Sequence, residues 1–234
     1  MDARPLPAHP NLEYYKKQAK DLLKVCRSND PERIREWVRR WMNECKESWI
    51  HTMSQLSGRS ERKRLETEFE ERVEGVTKRV STKVAHANIK LAEAQFFIAR
   101  AHGFDSWPKF AKQITEMAKR DSRRSRFEKA VDYIVSGDIN GLKELLARHP
   151  ELIRERSLRE HRSTLLHYVG ANGVEGYRQV TPKNIVEITR VLLDAGADID
   201  SVADMYGGSN TIGLVATSVH PWRAGVQLSC SICC

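Results

Sequence analysis

Apolar residues recur every three or four positions through most of the chain, which is the spacing of helices that bury one face. Asn11 can cap the first such helix, and Asp30 with Pro31 can cap and begin the second. Three tryptophans lie on the apolar stripe of the second helix. They predict a packing surface for neighbouring helices or, as the alternative, a ligand-binding surface. The apolar positions of the two helices are Leu12, Tyr15, Ala19, Leu22, Leu23, Cys26, Ile34, Trp37, Val38, Trp41, Met42, Cys45 and Trp49.

The rest of the amino-terminal half has the same helical character. Residues 59–79 contain seven basic and six acidic residues around an apolar stripe, which predicts a charged amphipathic helix weakened at Gly75. The helix that starts near Leu91 ends at Gly103, and Ser106 can cap its successor, so we expect a tight helical hairpin. Together these elements predict a basic helical domain over residues 1–120.

From residue 127 onward, a short helix, a turn and a second helix follow one another in a repeated order. The first copy closes its short helix at Gly137, and the second closes its own at Gly173, within "TLLHYVGANG". An insertion at 174–184 accounts for the greater length of the second copy, and a third copy begins near Thr211. Internal repeats of this kind are typical of solenoids, in which each unit buries its apolar face against the next.

This half resembles the ankyrin repeats, whose period is about 33 residues. The resemblance implies an all-α protein: a helical amino-terminal domain followed by a short, incomplete ankyrin-like α-solenoid of about two and a half units over residues 127–224. Leu165 stands where the family has proline, and Leu214 where it has histidine. The whole layout also resembles bacterial ankyrin-repeat proteins. The matching motif residues are Thr164, Leu165, Leu166, His167, Gly173, Gly196, Ala197 and Asp198.

Ser163 and His167 share a helical face, so a nucleophile with its base is an alternative to a repeat motif. Glu160 or Asp204 would then be the orienting acid, but no Gly-x-Ser-x-Gly elbow is present. In the ankyrin interpretation the motif implies that Thr164 caps the first helix and that His167 bonds neighbouring backbone. We therefore expect a non-enzymatic protein without a catalytic site.

The net charge of +8 is distributed unevenly along the chain. Residues 1–126 are strongly basic, whereas residues 127–234 have a slight acidic excess. The dense basic stretch Lys119–Arg126 predicts a linker at 121–126 or, as the alternative, a phosphate contact. Binding of nucleic acid or of an anionic surface through the basic half is accordingly the second functional hypothesis.

Repeat solenoids present loops and inner helices to partners, so the leading hypothesis is binding of another protein. The insertion and the loop before Thr211 are the irregular places, and their polar and aromatic residues are typical interface anchors. The alternative is that these loops are packed, family-specific structure. The predicted partner-binding residues are Tyr177, Arg178, Tyr206 and Asn210.

Composition limits the other classes of function. No stretch approaches the roughly 20 apolar residues of a membrane span, and the first residues have no apolar leader, so we expect a cytoplasmic protein. The five cysteines form no disulfide framework. The tail "CSICC" lacks a fourth metal ligand, so neither a metal nor a cofactor is expected. Residues 225–234 have no apolar stripe, which predicts a loose or truncated tail.

Overall fold

The chain is described by a computed structural model over residues 3–47, 49–50, 62–86 and 89–233. Every named element in this part is helical, which confirms the predicted all-α class. Three 3-10 helices lie at Pro150–Arg154, Leu166–Gly170 and Gly176–Arg178. The α-helices are α1 (Leu12–Arg27), α2 (Pro31–Asn43), α3 (Arg62–His86), α4 (Leu91–Ala101), α5 (Trp107–Ala118), α6 (Arg123–Ser136), α7 (Ile139–Arg148), α8 (Ile185–Asp194), α9 (Thr211–Thr217), α10 (Val219–Arg223) and α11 (Gln227–Cys233).

The helix caps predicted at Asn11 and Asp30 are confirmed, whereas the cap predicted at Thr164 is wrong, because the 3-10 helix Leu166–Gly170 begins without a side-chain cap and Thr164 bonds to His167. The Asn11 side chain accepts a hydrogen bond from the backbone N–H of residue 13 at 2.9 Å, and Asp30 accepts from residues 32 and 33 at 3.0 and 3.3 Å. Asp138 caps α7 in the same way at 2.9 Å. Gly137 ends α6 with a φ of +81°, a conformation that glycine adopts without steric cost. These local signals set where the helices begin and end.

The amino-terminal helices α1 to α5 share one core. Trp37 and Trp41 stack within it, with ring centroids 5.5 Å apart, so two of the three tryptophans are core residues. Helix α3 continues past Gly75, and its acidic face pairs with α2 through Arg35–Glu74 at 2.8 Å. Residues 59–61 of the predicted charged helix lie outside the described part. Among the described helices, none has the length and apolar character of a membrane span.

Six of the helices described after residue 122 lie in two rows. One row contains α6, the 3-10 helix Leu166–Gly170 and α9, each in contact with the next. The other row contains α7, α8 and α11, again in contact in that order. Each member of the first row also packs on its counterpart in the second, so their apolar faces form a single core.

The prediction of a linker at 121–126 is wrong. Ser122 caps α6, and the helix begins at Arg123, inside the predicted linker. The physical reason is the carboxylate of Glu155, whose side chain is only 10% exposed and forms ion pairs with both Arg123 and Arg124. Arg123 and Arg124 therefore belong to a helix that pairs with the rest of the protein instead of to a linker.

The prediction of a loose tail from Gly225 is also wrong. Gly225 makes a turn with a φ of +71°, and α11 follows it. Cys230 is fully buried against the core of the two rows. The Gln227 side-chain amide donates to the carbonyl oxygens of Val215 and Ala216 at 3.0 and 2.9 Å. Helix α11 is thus held in place by the buried Cys230 and by the Gln227 amide, although it has no broad apolar face.

The segment "TLLHYVGANG" forms a 3-10 helix, Leu166–Gly170, instead of a helix that closes at Gly173. Ala171 ends it in the left-handed region, with a φ of +44°. The reason is close packing, because α9 lies directly against Gly170. A Cβ on that glycine would lie 2.6 Å from the Cβ of Leu214.

Candidate functional site

The loop between α8 and α9 forms a tight hairpin. Ala203 and Ser209 are joined by two backbone hydrogen bonds of 3.0 and 3.1 Å. Tyr206 lies between them, is 73% exposed, and donates from its hydroxyl to the Asn172 side-chain oxygen at 3.0 Å. We call residues 203–209 the Tyr206 hairpin. The hairpin presents an aromatic side chain to solvent, and an interface anchor must be accessible in this way.

The Tyr206 hairpin makes a sharp turn and is bonded to a neighbouring loop. Tyr206 itself has a φ of +51°, which is uncommon for an aromatic residue, and Gly207 and Gly208 follow with φ values of +82° and +110°. The Asp204 N–H donates to the carbonyl oxygen of His161 at 2.8 Å, which ties the hairpin to the preceding loop. A rigid loop loses little conformational entropy when it binds a partner.

Asn210 has a structural position. Its side chain accepts a hydrogen bond from the Gly213 N–H at 3.0 Å and thereby caps α9. The residue is half-buried, so its amide is engaged in the fold at the base of the hairpin. Of the four predicted partner-binding residues, Tyr206 alone is exposed.

Arg178 is buried, and the prediction that it lies on a recognition edge is wrong. Its guanidinium group lies 2.6 Å from the Glu128 carboxylate, 3.2 Å from Glu175 and 2.8 Å from Asp132. Arg159 reaches the same two glutamates at 2.9 and 2.7 Å. We call Glu128, Arg159, Glu175 and Arg178 the buried ion cluster. The insertion folds inward because Arg178 completes this cluster.

Tyr177 is also turned inward and is only partly exposed. Arg159 donates to its hydroxyl oxygen at 3.3 Å, and burial raises the pKa of Tyr177 to about 12. Gln113 of α5 donates to Glu128 at 2.8 Å. The buried ion cluster therefore links the amino-terminal helices, α6 and the insertion.

All four members of the buried ion cluster are charged. Burial raises the pKa of Glu128 and of Glu175, but the guanidinium groups of Arg159 and Arg178 outweigh it and lower both pKa values. Burial acts to lower the pKa of Arg159 and of Arg178, but the carboxylates of Glu128 and Glu175 outweigh it and raise both pKa values. Each charge is thus stabilised by two opposite charges, which a buried ion pair requires.

An open polar pocket of about 350 Å³ lies between the Tyr206 hairpin and the buried ion cluster. Arg159, His161 and Glu175 line its inner side, while Gly173 and Tyr206 line its outer side. His161 Nε2 is 3.5 Å from a Glu175 carboxylate oxygen. The pocket brings the exposed loop and the cluster to the same part of the molecule.

His167 joins two loops of the carboxy-terminal half. Its Nδ1 accepts from the Thr164 N–H at 3.2 Å and contacts the Thr164 hydroxyl at 2.7 Å, and its Nε2 lies 3.0 Å from the Ser201 carbonyl oxygen. Acceptance at Nδ1 places the proton on Nε2, which donates to Ser201. Burial lowers the pKa of His167 to about 4. The imidazole is therefore a neutral bridge at neutral pH.

Ser163 and His167 do not form a nucleophile and its base. The side chains of both residues are fully buried, and within the described chain the Ser163 hydroxyl has no hydrogen-bond partner. Both nitrogens of His167 are engaged by Thr164 and Ser201. The Thr164 hydroxyl, 2.7 Å from Nδ1, is also buried, so substrate has no access to a hydroxyl beside this imidazole.

Of the other motif residues, Leu165 and Leu166 are buried in the core, and the rest form turns. Gly173 has a φ of +71° and lies against Met205, where a Cβ would clash. Gly196 ends α8 with a φ of +88°, and the Ala197 N–H donates to the Leu192 carbonyl oxygen at 3.0 Å. The Asp198 side chain accepts from residue 200 at 3.1 Å. These contacts shape the loop that leads to the Tyr206 hairpin.

No protein-family model, curated protein or solved structure matches this chain. Across the described residues, no group of histidine, cysteine and acidic side chains has an arrangement that could hold a metal ion.

Proposed function

We propose that the protein is a non-enzymatic protein-interaction module whose carboxy-terminal half is an ankyrin-like solenoid. The two rows of helices support this proposal, since α6 with α7, Leu166–Gly170 with α8, and α9 with α11 repeat one pairing. The bridge from His167 to Ser201 also supports it, because a repeat motif should connect one unit to the next. The proposed partner is another protein.

The Tyr206 hairpin is the observation that carries the proposal. Tyr206 is 73% exposed, and the apolar residues Val202 and Ile212 on either side are 52% and 39% exposed. Tyrosine is enriched among residues that dominate interface energetics. An aromatic anchor on a fixed loop with apolar neighbours is the arrangement expected of a contact surface.

We expect Tyr206→Ala to remove the captured partner while leaving the fold intact. Loss of an interface anchor costs about 2 kcal/mol or more, which is about 30-fold in affinity. The measurement is affinity capture from an extract of the source cells with immobilised wild-type protein and variant, quantified by mass spectrometry. Phe96→Ala is the matched control, because Phe96 is 42% exposed but lies on α4.

The supporting result is a protein recovered with the wild type and Phe96→Ala and depleted with Tyr206→Ala. Recovery should change little between low and high salt, since an apolar contact surface is insensitive to screening. Equal recovery with all three proteins would contradict the role of Tyr206.

Nucleic-acid or anionic-surface binding is the alternative that the same experiment tests. The recovery of a nucleic acid or of an anionic partner should fall by orders of magnitude with rising salt, because phosphate contacts release counterions. The basic stretch offers less charge than its sequence suggests. Arg123 and Arg124 are paired with Glu155, and Arg126 lies 3.3 Å from Asp121 and 3.4 Å from Glu151. This neutralisation favours the protein partner.

A further inference from the structure

An open pocket of about 780 Å³ lies in the amino-terminal half, away from the Tyr206 hairpin. Helices α2 and α3 form two of its sides, and residues 3–5 together with Gly176 and Tyr177 of the insertion close others. This volume falls within the range of about 300–1,000 Å³ that small-molecule sites occupy. The pocket is therefore large enough for a compact organic ligand.

The walls of the pocket are aromatic. Trp41, Trp49 and Phe69 line it, and the Trp49 and Phe69 rings lie 5.8 Å apart. Met42 and Val76 add aliphatic surface. A ligand bound here would contact apolar walls over most of its surface, so it must have an apolar body.

Three residues that line the pocket carry unsatisfied hydrogen-bond donors. Arg4 Nε and Nη1, Trp41 Nε1 and Trp49 Nε1 are buried and have no acceptor among the described residues. The Arg4 guanidinium lies 3.9 Å above the Trp41 ring and is held there by its Nη2, which donates to the Trp41 carbonyl oxygen at 2.7 Å. Buried donors without acceptors are rare in native proteins, and a bound ligand is one explanation for them.

The charged residues at the pocket favour a ligand that carries negatively charged hydrogen-bond acceptors. Arg4, Arg72 and Arg79 line it, against Glu68 and Glu71. Glu68 is paired with Arg64 at 2.9 Å, and Arg4 with Glu44 at 3.0 Å. Every unsatisfied group named above is a donor, so a ligand must bring oxygen acceptors, and a net positive lining favours a negative charge on them.

We propose that this pocket binds a small organic carboxylate with an apolar body, with the carboxylate oxygens at Arg4 and the indole N–H groups and the body between Trp41, Trp49 and Phe69. The assignment is independent of the proposed protein interaction. The side chains that would hold the ligand, Arg4, Trp41, Trp49 and Phe69, all lie in the amino-terminal half and outside the Tyr206 hairpin.

The test uses two carboxylate probes, decanoate and 2-naphthoate, each compared with its neutral analogue, 1-decanol or 2-naphthol. Titration calorimetry on the full chain should show saturable 1:1 binding of at least one carboxylate at concentrations below about 1 mM. The matching alcohol should bind at least about tenfold more weakly, because it cannot satisfy the cationic donors. Tryptophan fluorescence should change on binding, since two indoles form the walls.

Two variants test the donors. Arg4→Met should weaken carboxylate binding by about tenfold while the alcohol is unaffected, and Trp49→Phe should weaken binding of the carboxylate more than that of the alcohol, because it removes a donor as well as part of the apolar wall. Arg33→Met, an exposed arginine on α2 outside the pocket lining, is the control and should leave binding unchanged. Thermal unfolding of each variant without probe verifies that the fold is retained. Failure of both carboxylates to bind saturably, or equal affinity for the alcohols, would overturn the proposal.

Discussion

Arg159→Met should lower the free energy of unfolding by about 3–5 kcal/mol, the usual cost of leaving a buried charge uncompensated. Arg159 is 1% exposed and pairs with both Glu128 and Glu175. Methionine retains the aliphatic volume but leaves the two carboxylates to share the guanidinium of Arg178. The measurement is urea unfolding followed by circular dichroism at neutral pH.

Arg100→Met is the matched control for this substitution. Arg100 pairs with Glu160, but both side chains are largely solvated, at 41% and 54% exposure. A solvated pair contributes about 1 kcal/mol or less, so the control should be close to the wild type. Adding Glu128→Gln to Arg159→Met should restore part of the lost stability, because it removes one of the unpaired charges. A loss below about 1 kcal/mol for Arg159→Met would show that the cluster is not a buried ionic link.

The stability of the protein should fall as the pH is lowered from about 7 to about 5, and His167 should account for about 2 kcal/mol of the change. Its pKa is about 4 in the folded protein and about 6.5 when unfolded. Because the unfolded state binds the proton first, this contribution is present above about pH 6.5 and is lost as the pH falls toward 4.

The measurement for His167 is a set of urea unfolding curves across this pH range. His167→Asn should be less stable than the wild type at about pH 7 and should have a flatter pH dependence. His9→Asn, at an exposed position, should follow the wild-type curve. His102 is buried, and its pKa is lowered to about 3 by burial, so some pH dependence should remain in the His167 variant. An unchanged slope in His167→Asn would contradict the neutral bridge.

The parts of the fold that were predictable are those set by neighbours in sequence. Asn11, Asp30 and Asp138 each cap a helix by accepting from a backbone N–H two or three residues ahead, so the residue type alone indicates the contact. Gly137 ends α6 because few other residues tolerate its backbone conformation. The exposure of Tyr206 also follows from its place directly before the turn signal Gly207–Gly208.

The parts that were not predictable depend on partners far away in the chain. Arg178 bonds to Glu128 across 50 residues, and nothing in the insertion indicates that it folds inward. The one available signal was Glu128 itself, a charged residue next to Phe127 and three positions before Val131 on the apolar face of α6. Arg159 lies in an irregular loop, where periodicity gives no information about burial. The helix of Cys230 was missed because its packing depends on small and polar side chains.

The fold after residue 122 depends on six helices that shield one another in two rows, which α11 closes. Hydrogen exchange measured by mass spectrometry on the intact protein tests it most directly. We expect the amides of α11 to be protected to a similar degree as those of α8, because Cys230 is buried and both helices belong to one core. Exchange of α11 at the rate of an unstructured peptide, while α8 stays protected, would contradict the claim.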